Sequence, residues 1–388
     1  VPLGVIAPRV SEVGYGALEP LSVFLNEGVV PRSSRDDNHN QLGSDLEKYQ
    51  RVLPGDLVFN KLRTWQGGFG VSAHVGVVSP AYLIGRPTGS VVPRYLHHFM
   101  RSEPVLAELT RLSKWMPPSQ FDIGWDDIRN VVIALPPLDE QRTIADFLDD
   151  QVARIDTALA ARARQRELAA ETRKARLAAL FSVGEDRKLR SLLIERPCYG
   201  VLVPRFVDSG GVSFIRVGDL GKLDAANTEL PQIEPGQSAE YGRTVVEAGD
   251  LLVSVVGSID KAAVVPVHRA GSNVARAVSR LRPVSESVAR SLHAWMQTEA
   301  YLDQARLATG GDTAQPTLNM SDLSDFRIRL SDPDAVAVRA AEIIAEARVT
   351  DSALTRSIDL LNEYKRSLIT AAVTGELDVM TARTGVPA

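Results

Sequence analysis

Cysteine is almost missing from this chain: Cys198 stands alone among 388 residues. One thiol builds neither a disulfide framework nor a cysteine-based zinc site, and it suits a reducing cytoplasm, the expected location. No apolar run approaches the roughly 18 residues of a membrane span, so no membrane partner is expected. No signal peptide is recognisable ahead of Val1, and the start without methionine reads as a trimmed natural N-terminus. Positive charge is not in excess either. The 44 Lys and Arg face 48 Asp and Glu, for a net charge of −4. Residues 1–137 carry 13 basic and 13 acidic side chains, and residues 191–330 carry 14 and 16. That balance argues against bulk, sequence-independent binding of nucleic acid. A locally basic groove stays open, but it has to come from segregation of charge in space.

The signatures of catalysis are absent too. There is no Asn-Pro-Pro-Tyr-like methylation motif, no P-loop and no HExxH. "GGFG" and "GDLGKL" have too few glycines, wrongly spaced, for a dinucleotide fingerprint. Six histidines and one cysteine form no metal-ligand pattern. His97, His98 and His293 sit beside aromatic residues in short helical stretches and read as packing residues. We therefore expect no catalytic residue, no bound metal and no cofactor.

What the chain does have is length for two or three domains, an ordinary apolar content of 44%, and an internal repeat. "PGDLVF" at 54–59 matches "AGDLLV" at 248–253, an offset of 194. "GRP" at 85–87 is echoed by Arg282-Pro283, and "YLHHFMRSEPVL" at 95–106 by "SLHAWMQTEAYL" at 291–302, both at 196. "SQFDIGWDDI" at 119–128 matches "AQPTLNMSDL" at 314–323, which sets Gln120 on Gln315 and Asp127 on Asp322. "RIDTAL" at 154–159 matches "VTDSAL" at 349–354, and "RKARLAALFSVGE" at 173–185 matches "YKRSLITAAVTGE" at 364–376. One offset held across so many short matches marks a duplication. Its single shift, by four residues at an offset of 191, is close to one helical turn and keeps a buried stripe in phase.

Each copy reads as a mixed domain followed by a long helix. Strand-like runs bounded by Gly and Pro include "GDLVFNKL", "GGFGVSAH", "GDLLVSVVGS", "AAVVPVHR" and "AVSRLRPV". A shorter helix is expected over 92–112 and again over 288–307. The first long helix starts behind the proline pair of "ALPPLDEQRTIADFLDDQVARID", with Asp139 as N-cap and Leu138 as staple, and runs to about Phe181. The second has Asp332 as N-cap, Pro333 at its first position and Gly375 as its stop. Ile144, Leu148, Val152, Ile155 and Leu159 stripe the first. Ile343, Ile344, Ala347, Leu354, Ile358, Leu361 and Leu368 stripe the second. Each stripe needs a partner, and each is the other's obvious one. The shared helical stretch, about 33–39 Å at 1.5 Å per residue, resembles the roughly 34–36 Å of one turn of B-DNA. An antiparallel pair with a domain at each end, related by a pseudo-twofold axis, fits a bipartite site on duplex DNA. The expected class is α+β: two duplicated mixed α/β domains separated by two long antiparallel helices as a coiled-coil spacer.

"LPPLDEQRTIADFLDDQVARIDTAL" at 135–159 strongly resembles the central region of the specificity subunits of type I restriction–modification systems. "LLNEYKRSLITAAVTGELDV" at 360–379 resembles their C-terminal region. "PGDLVFNKLRTWQGG", "GDLLVSVVGSIDKAAVV" and "GGDTAQPTLNMSDLSDFRIRL" are similar to segments of their target recognition domains. The resemblance spans nearly the whole chain in domain–helix–domain–helix order. It implies recognition domains over 1–137 and 186–331, a central helical region over 138–185 and a C-terminal one over 332–388. It implies a non-catalytic subunit reading double-stranded DNA in two halves. It also implies two methyltransferase (modification) subunits, which carry S-adenosylmethionine, docked around the helices, with restriction subunits joining for cleavage. Partner contacts are then expected at Gln141, Arg142, Phe147, Leu148, Ile155, Leu361, Tyr364 and Leu368. The second helix departs from the pattern, opening on "LSDPDAVAVRAAEI" where the family repeats a "PPLEEQ"-like entry.

DNA contacts are expected on loops and strand ends, with Arg suited to guanine and Asn or Gln to adenine. The stretch "NKLRTWQGG" offers Asn60, Lys61, Arg63 and Gln66, against the plainer reading of a strand with a buried Trp65. Its counterpart "SVVGSIDK" offers Ser258 and Lys261, with Ser254 beside them. Gln120 and Gln315 hold equivalent places, and Lys114, Arg276, Arg280 and Thr313 complete the set. Asp127 and Asp322 read as turn braces, and Arg162, Arg164 and Arg166 as a solvated or partner-facing surface. The rival to a DNA reader is a non-catalytic interaction scaffold carrying two duplicated binding modules on a coiled coil.

Overall fold

Segments that match across the repeat fold into matching sheets. In the computed structural model, residues 1–25, 28–34, 43, 45–116, 120–310 and 316–382 are described. The chain divides into two units, Val1–Arg162 with Arg356–Ala388, and Ala163–Thr355. We call them units 1 and 2. Both long helices are shared out between them. Packing thus divides what the sequence suggested as separate helical regions, because each helix half buries its stripe against the domain beside it.

Unit 1 is built on β1 (Arg9–Val10), β2 (Leu57–Asn60), β3 (Phe69–Val71) and β4 (Tyr82–Gly85), in the antiparallel order β1-β4-β2-β3. Alternation along β2 and β4 explains why these strands are apolar throughout. Leu57, Phe59 and Leu83 face a core shared with the helices, whereas Val58 and Ile84 face a second cluster with Leu21, Val23 and Val78. A strand buried on both faces cannot alternate with polar residues. Then come α1 (Pro93–Met100), α2 (Glu103–Leu112), and a hairpin of β5 (Lys114–Met116) and β6 (Gln120–Asp122).

Unit 2 repeats the plan. Its main sheet has β7 (Cys198–Tyr199), β8 (Leu251–Ser254), β9 (Ala262–Val264) and β10 (Val278–Leu281) in the order β7-β10-β8-β9. Leu251, Val253 and Leu281 face the helical core, and Leu252 and Val278 face the other way. Helices α4 (Glu286–Trp295) and α5 (Glu299–Ala308) follow. The long helices are α3 (Leu138–Leu180) and α6 (Pro333–Thr374).

The single helices expected over 92–112 and 288–307 are each two. The breaks fall at Ser102 and Thr298, offset by 196. There the side-chain hydroxyls turn back to donate to the carbonyls of Phe99 (2.7 Å) and Trp295 (2.6 Å), competing with the helical ladder.

Asp139 is not the cap of α3. The helix starts at Leu138, and the Pro137 carbonyl accepts from the Gln141 N–H at 3.0 Å. Asp139 lies in the first turn, where its charge suits the helix dipole, and pairs with Arg142 at 2.6 Å. The ends of α6 are as expected. The Asp332 carboxylate accepts from Asp334 N–H at 3.1 Å, and Gly375, with φ 81°, lets Leu377 N–H reach the Ala371 carbonyl at 2.9 Å.

The two helices pack together in both units. In unit 1, Ile144, Leu148 and Ile155 of α3 share a core with Leu368, Ile369 and Ala372 of α6. Lys365 reaches Asp156 at 2.6 Å. In unit 2, Arg166 meets Asp351 and Arg176 meets Glu346, both at 2.6 Å, so advancing along α3 means retreating along α6. That is antiparallel packing. Among the described residues, no helix is long and apolar enough to cross a membrane.

Candidate nucleic-acid interface

In unit 1 the chain leaves β2 into a tight loop. The Asn60 side-chain oxygen accepts from Leu62 N–H at 3.1 Å, and the Thr64 hydroxyl donates to the Asn60 carbonyl at 2.7 Å. Gly67, with φ 86°, closes the loop in a conformation that costs a side-chain-bearing residue. Trp65 is half-buried rather than exposed, and its ring stacks at 4.8 Å on Phe121 of β6. That stacking brings the 60–67 loop to the β5–β6 hairpin. Lys61 is half-buried, Arg63 and Gln66 are exposed, and neither cation has an ion pair among the described residues. Lys114 starts the hairpin, exposed and only 3.8 Å from Asp127. Gln120 lies on β6 opposite Met116. The loop carrying Asn60, Lys61 and Arg63 thus lies beside the hairpin that Lys114 and Gln120 belong to, while Gln66 lines a groove with His97, Arg101 and Arg366 along the helices.

Unit 2 makes the equivalent loop after β8. Gly257 N–H donates to the Pro316 carbonyl at 2.9 Å and Leu318 N–H to the Val255 carbonyl at 2.8 Å. The loop is thus pinned to the segment matching β6. Ser254 braces it from within: its hydroxyl accepts from Lys261 N–H and donates to the Lys261 carbonyl, each at 3.1 Å. The Ser258 hydroxyl is bonded to the Asp260 carboxylate. Lys261 and Arg276 are exposed and without an ion pair among the described residues. Thr313 and Gln315 lie outside the described residues.

Arg280 requires a correction. Its side chain is 2% exposed, 2.8 Å from Glu195 and 3.8 Å from Asp250, so it is an internal ion-pair member and not a reader of bases. Beside it, Asp250 grips Arg282 through two bonds of 2.9 Å. Unit 1 has the same fork: Asp56 to Arg86 at 2.8 and 3.0 Å. These residues were visible in the sequence only as markers of the repeat.

Several expected partner contacts are also internal. Gln141 is buried; its amide oxygen accepts from Val92 N–H at 2.8 Å and its nitrogen donates to the Pro136 carbonyl at 2.8 Å. Leu148, Ile155 and Leu368 lie in the core, and Phe147 and Leu361 pack partly against it. Arg142 and Tyr364 remain exposed. The apolar stripe of a paired helix points inward, so stripe residues cannot also greet a partner. Of the arginine run, Arg164 pairs with Glu167 at 2.9 Å and Arg166 with Asp351.

The histidines are packing residues. His97 Nδ1 accepts from Val71 N–H at 3.3 Å, and burial pushes its pKa down to about 3. Burial also lowers His293. His98 is buried and bonded to Asp149 at 2.7 Å, which with Arg94 holds that carboxyl below its usual range. Among the described residues, no group of three or more His, Cys, Asp or Glu is arranged to hold a metal. Sequence reading passed over Tyr199, whose hydroxyl donates to the Leu318 carbonyl at 3.2 Å, and the exposed pair Leu202 and Val203. Their one signal was an apolar pair ahead of Pro204 in a polar loop.

No protein-family model matches the chain. The chain is 25% identical over 282 residues to the type I restriction enzyme EcoBI specificity subunit of Escherichia coli, covering 64% of this chain and 59% of that one. It therefore spans somewhat less than two thirds of that relative. It is 22% identical over 363 residues to the StySPI specificity subunit of Salmonella potsdam, covering 86% and 77%. Among solved structures it is similar to a chain from work on the "complex assembly and conformational transition of the type I R-M system", with TM-score 0.76, 17% identity and 97% of both chains covered. It is also similar to the HsdS subunit of Thermoanaerobacter tengcongensis, with TM-score 0.53, 18% identity and 97% and 96% covered. At these identities the structural likeness speaks for the fold: two β-rich domains joined by two long packed helices. The curated relatives carry the likeness further. In sequence as in fold, the chain is similar to the type I restriction–modification specificity subunits.

Proposed function

We propose that this chain is a non-catalytic subunit that recognises a bipartite target in double-stranded DNA and directs partner subunits to it. Each sheet unit reads one half. In unit 1 the reading surface is the 60–67 loop with the β5–β6 hairpin; in unit 2 it is the 254–261 loop with the segment from 316. Two methyltransferase subunits, holding S-adenosylmethionine, dock on exposed helix positions such as Arg142 and Tyr364, and restriction subunits join them. What supports this most is the recurrence of one loop in both copies, braced from within and carrying cations that no carboxylate among the described residues neutralises. Electrostatic attraction to phosphate then positions the protein, and neighbouring amides are left to read base edges.

The direct test mixes the chain with its methyltransferase partner and measures protection of a split target against scrambled DNA. Equal affinity for both sinks the reading. An interaction scaffold, the rival, binds duplex DNA without the steep salt dependence expected of a reader. The paired helices act as a ruler between half-sites: four residues inserted into α3 change the preferred gap in a spacer library and leave each half-site sequence alone. An unchanged gap refutes the ruler.

A further inference from the structure

Unit 2 carries a feature that neither the loops nor the helices account for. Leu202 and Val203 are 54% and 70% exposed, adjacent, and followed by Pro204. Exposed apolar side chains are ordinary when scattered on mobile loops. These two are held rigidly. The amide of buried Gln237 clamps the chain immediately after them, on both sides of Pro204: its nitrogen donates to the Val203 carbonyl at 2.8 Å, and its oxygen accepts from Arg205 N–H at 2.7 Å. Upstream, Val201 N–H donates to the Val274 carbonyl, and the Val201 carbonyl accepts from Arg276 N–H, both at 2.8 Å. Arg205 is paired with Glu234 at 3.1 Å. A buried amide is thus committed to fixing a knuckle that presents two hydrocarbon side chains to water.

The surroundings indicate what it meets. Arg276, bonded to the base of the knuckle, is the exposed cation without an ion pair described above. Tyr199, three residues before Leu202, bonds to Leu318 of the segment that pins the 254–261 loop. The knuckle therefore continues the surface that faces DNA in our functional reading. The corresponding stretch of unit 1 carries Val13 and Tyr15 as its exposed apolar side chains, separated by Gly14. By the strand registers Cys198↔Arg280 and Val10↔Ile84, Leu202 and Val203 fall on Gly14 and Tyr15. There the Tyr15 ring is covered by the Arg51 guanidinium at 4.6 Å.

We propose that Leu202 and Val203 form an apolar wedge that enters one base-pair step of the half-site read by unit 2, unstacking and kinking the duplex, with Arg276 on a flanking phosphate. Branched aliphatic side chains on a rigid loop suit this work, because unstacking costs a few kcal/mol per step and a mobile loop adds its own ordering cost. The wedge gives unit 2 a preference for easily deformed pyrimidine–purine steps without a hydrogen bond to their bases.

The inference rests on the functional reading, and the experiment separates the two. The full chain with its methyltransferase partner is bound to its split target, with 2-aminopurine scanned through both half-sites. The wild type is expected to raise fluorescence at one step of the unit 2 half-site. In the Leu202→Ala, Val203→Ala double variant that signal disappears and affinity falls about tenfold. The melting temperature stays unchanged because both side chains are exposed. Arg276→Ala keeps the fluorescence signal and lowers the salt slope by about one. Wild-type binding to the split target with no responsive step, or a double variant with full affinity and signal, overturns the wedge and leaves the functional reading intact. A double variant that binds DNA normally but loses its methyltransferase partner also overturns it, since the knuckle is then a protein contact. No preference for the split target in the wild type fails the functional reading itself.

Discussion

The two units keep the same sheet order, the same carboxylate fork and the same half-buried histidine, yet differ in charge at one core position. Ile84 of unit 1, fully buried in an apolar cluster, corresponds by strand register to Arg280 of unit 2, equally buried and charged. A duplicated scaffold tolerates such a change only where carboxylates already stand ready. In unit 2 these are Glu195 and Asp250, with the Cys198 sulfur 3.8 Å from the same guanidinium. The sheet is held in common, and its outer fittings are free to diverge.

The fork offers the largest way to break the likeness. Asp250→Ala breaks the fork to Arg282, which keeps Glu247 at 2.8 Å and Glu195 at 3.4 Å, and it also takes a carboxylate from buried Arg280. Loss of one partner of a buried pair costs about 3–5 kcal/mol. Asp56→Ala breaks only the fork to Arg86, which keeps Glu12 at 2.6 Å, and touches no second buried cation, so its cost belongs at the lower end of that range. Denaturant unfolding compares the two; an equal or larger loss for Asp56→Ala contradicts the view that unit 2 depends more on its ionic core.

On the reading surface, we expect Lys61→Ala and Arg63→Ala to weaken binding of the split target by about tenfold each, and each to reduce the salt slope by about one. Lys261→Ala should do the same from the other half-site. Salt titrations of affinity check this. Equal affinity and slope in all three variants removes the loops from the interface.

Much of this was legible in the sequence, for identifiable reasons. The repeat was visible because both copies need the same glycines, the same fork residues and the same strand alternation. The ends of α6 were visible because Asp-Pro and Gly act locally. The start of α3 was misread because a proline pair and an aspartate offer two competing starts, and packing of Gln141 against Val92 chose the earlier one. The breaks at Ser102 and Thr298 were hidden because a hydroxyl bonding back to its own helix leaves the apolar pattern intact. The site was half legible. Lys61 and Arg63 stand out by type, but whether a buried guanidinium finds two acids across a sheet, as Arg280 does, is a tertiary fact that no local pattern encodes.

The matched histidines give a smaller comparison. His97 is held neutral to about pH 3, whereas its ordinary pKa is 6.5. Above pH 6.5 neither the folded nor the unfolded chain is protonated there, and the full stability is present. Below it the unfolded chain takes up a proton that the folded one refuses, so stability falls as pH drops, by at most about 1.4 kcal/mol per pH unit. His293 shifts in the same direction by burial and should add to the loss. Unfolding measured between pH 7 and 5 should lose one proton's worth of slope in His97→Gln, which can still accept from Val71. An unchanged slope places a charged histidine in the fold.

The smallest effect is expected where the two cores differ most. Arg280→Ile gives unit 2 the residue that unit 1 already has. It leaves no carboxylate alone: Asp250 keeps its fork to Arg282, and Glu195, partly exposed, keeps Arg282 at 3.4 Å. A buried ion pair exchanged for hydrocarbon of similar volume is often neutral or stabilising, because removing charge also removes its desolvation cost. We therefore expect a change within about 1 kcal/mol of either sign, read by denaturant unfolding, with binding of the split target unaltered because Arg280 does not reach the surface. A loss as large as that of Asp250→Ala would mean that the guanidinium, rather than the aspartate, organises this network. The equivalence of the two sheets would then stop at their hydrogen bonds.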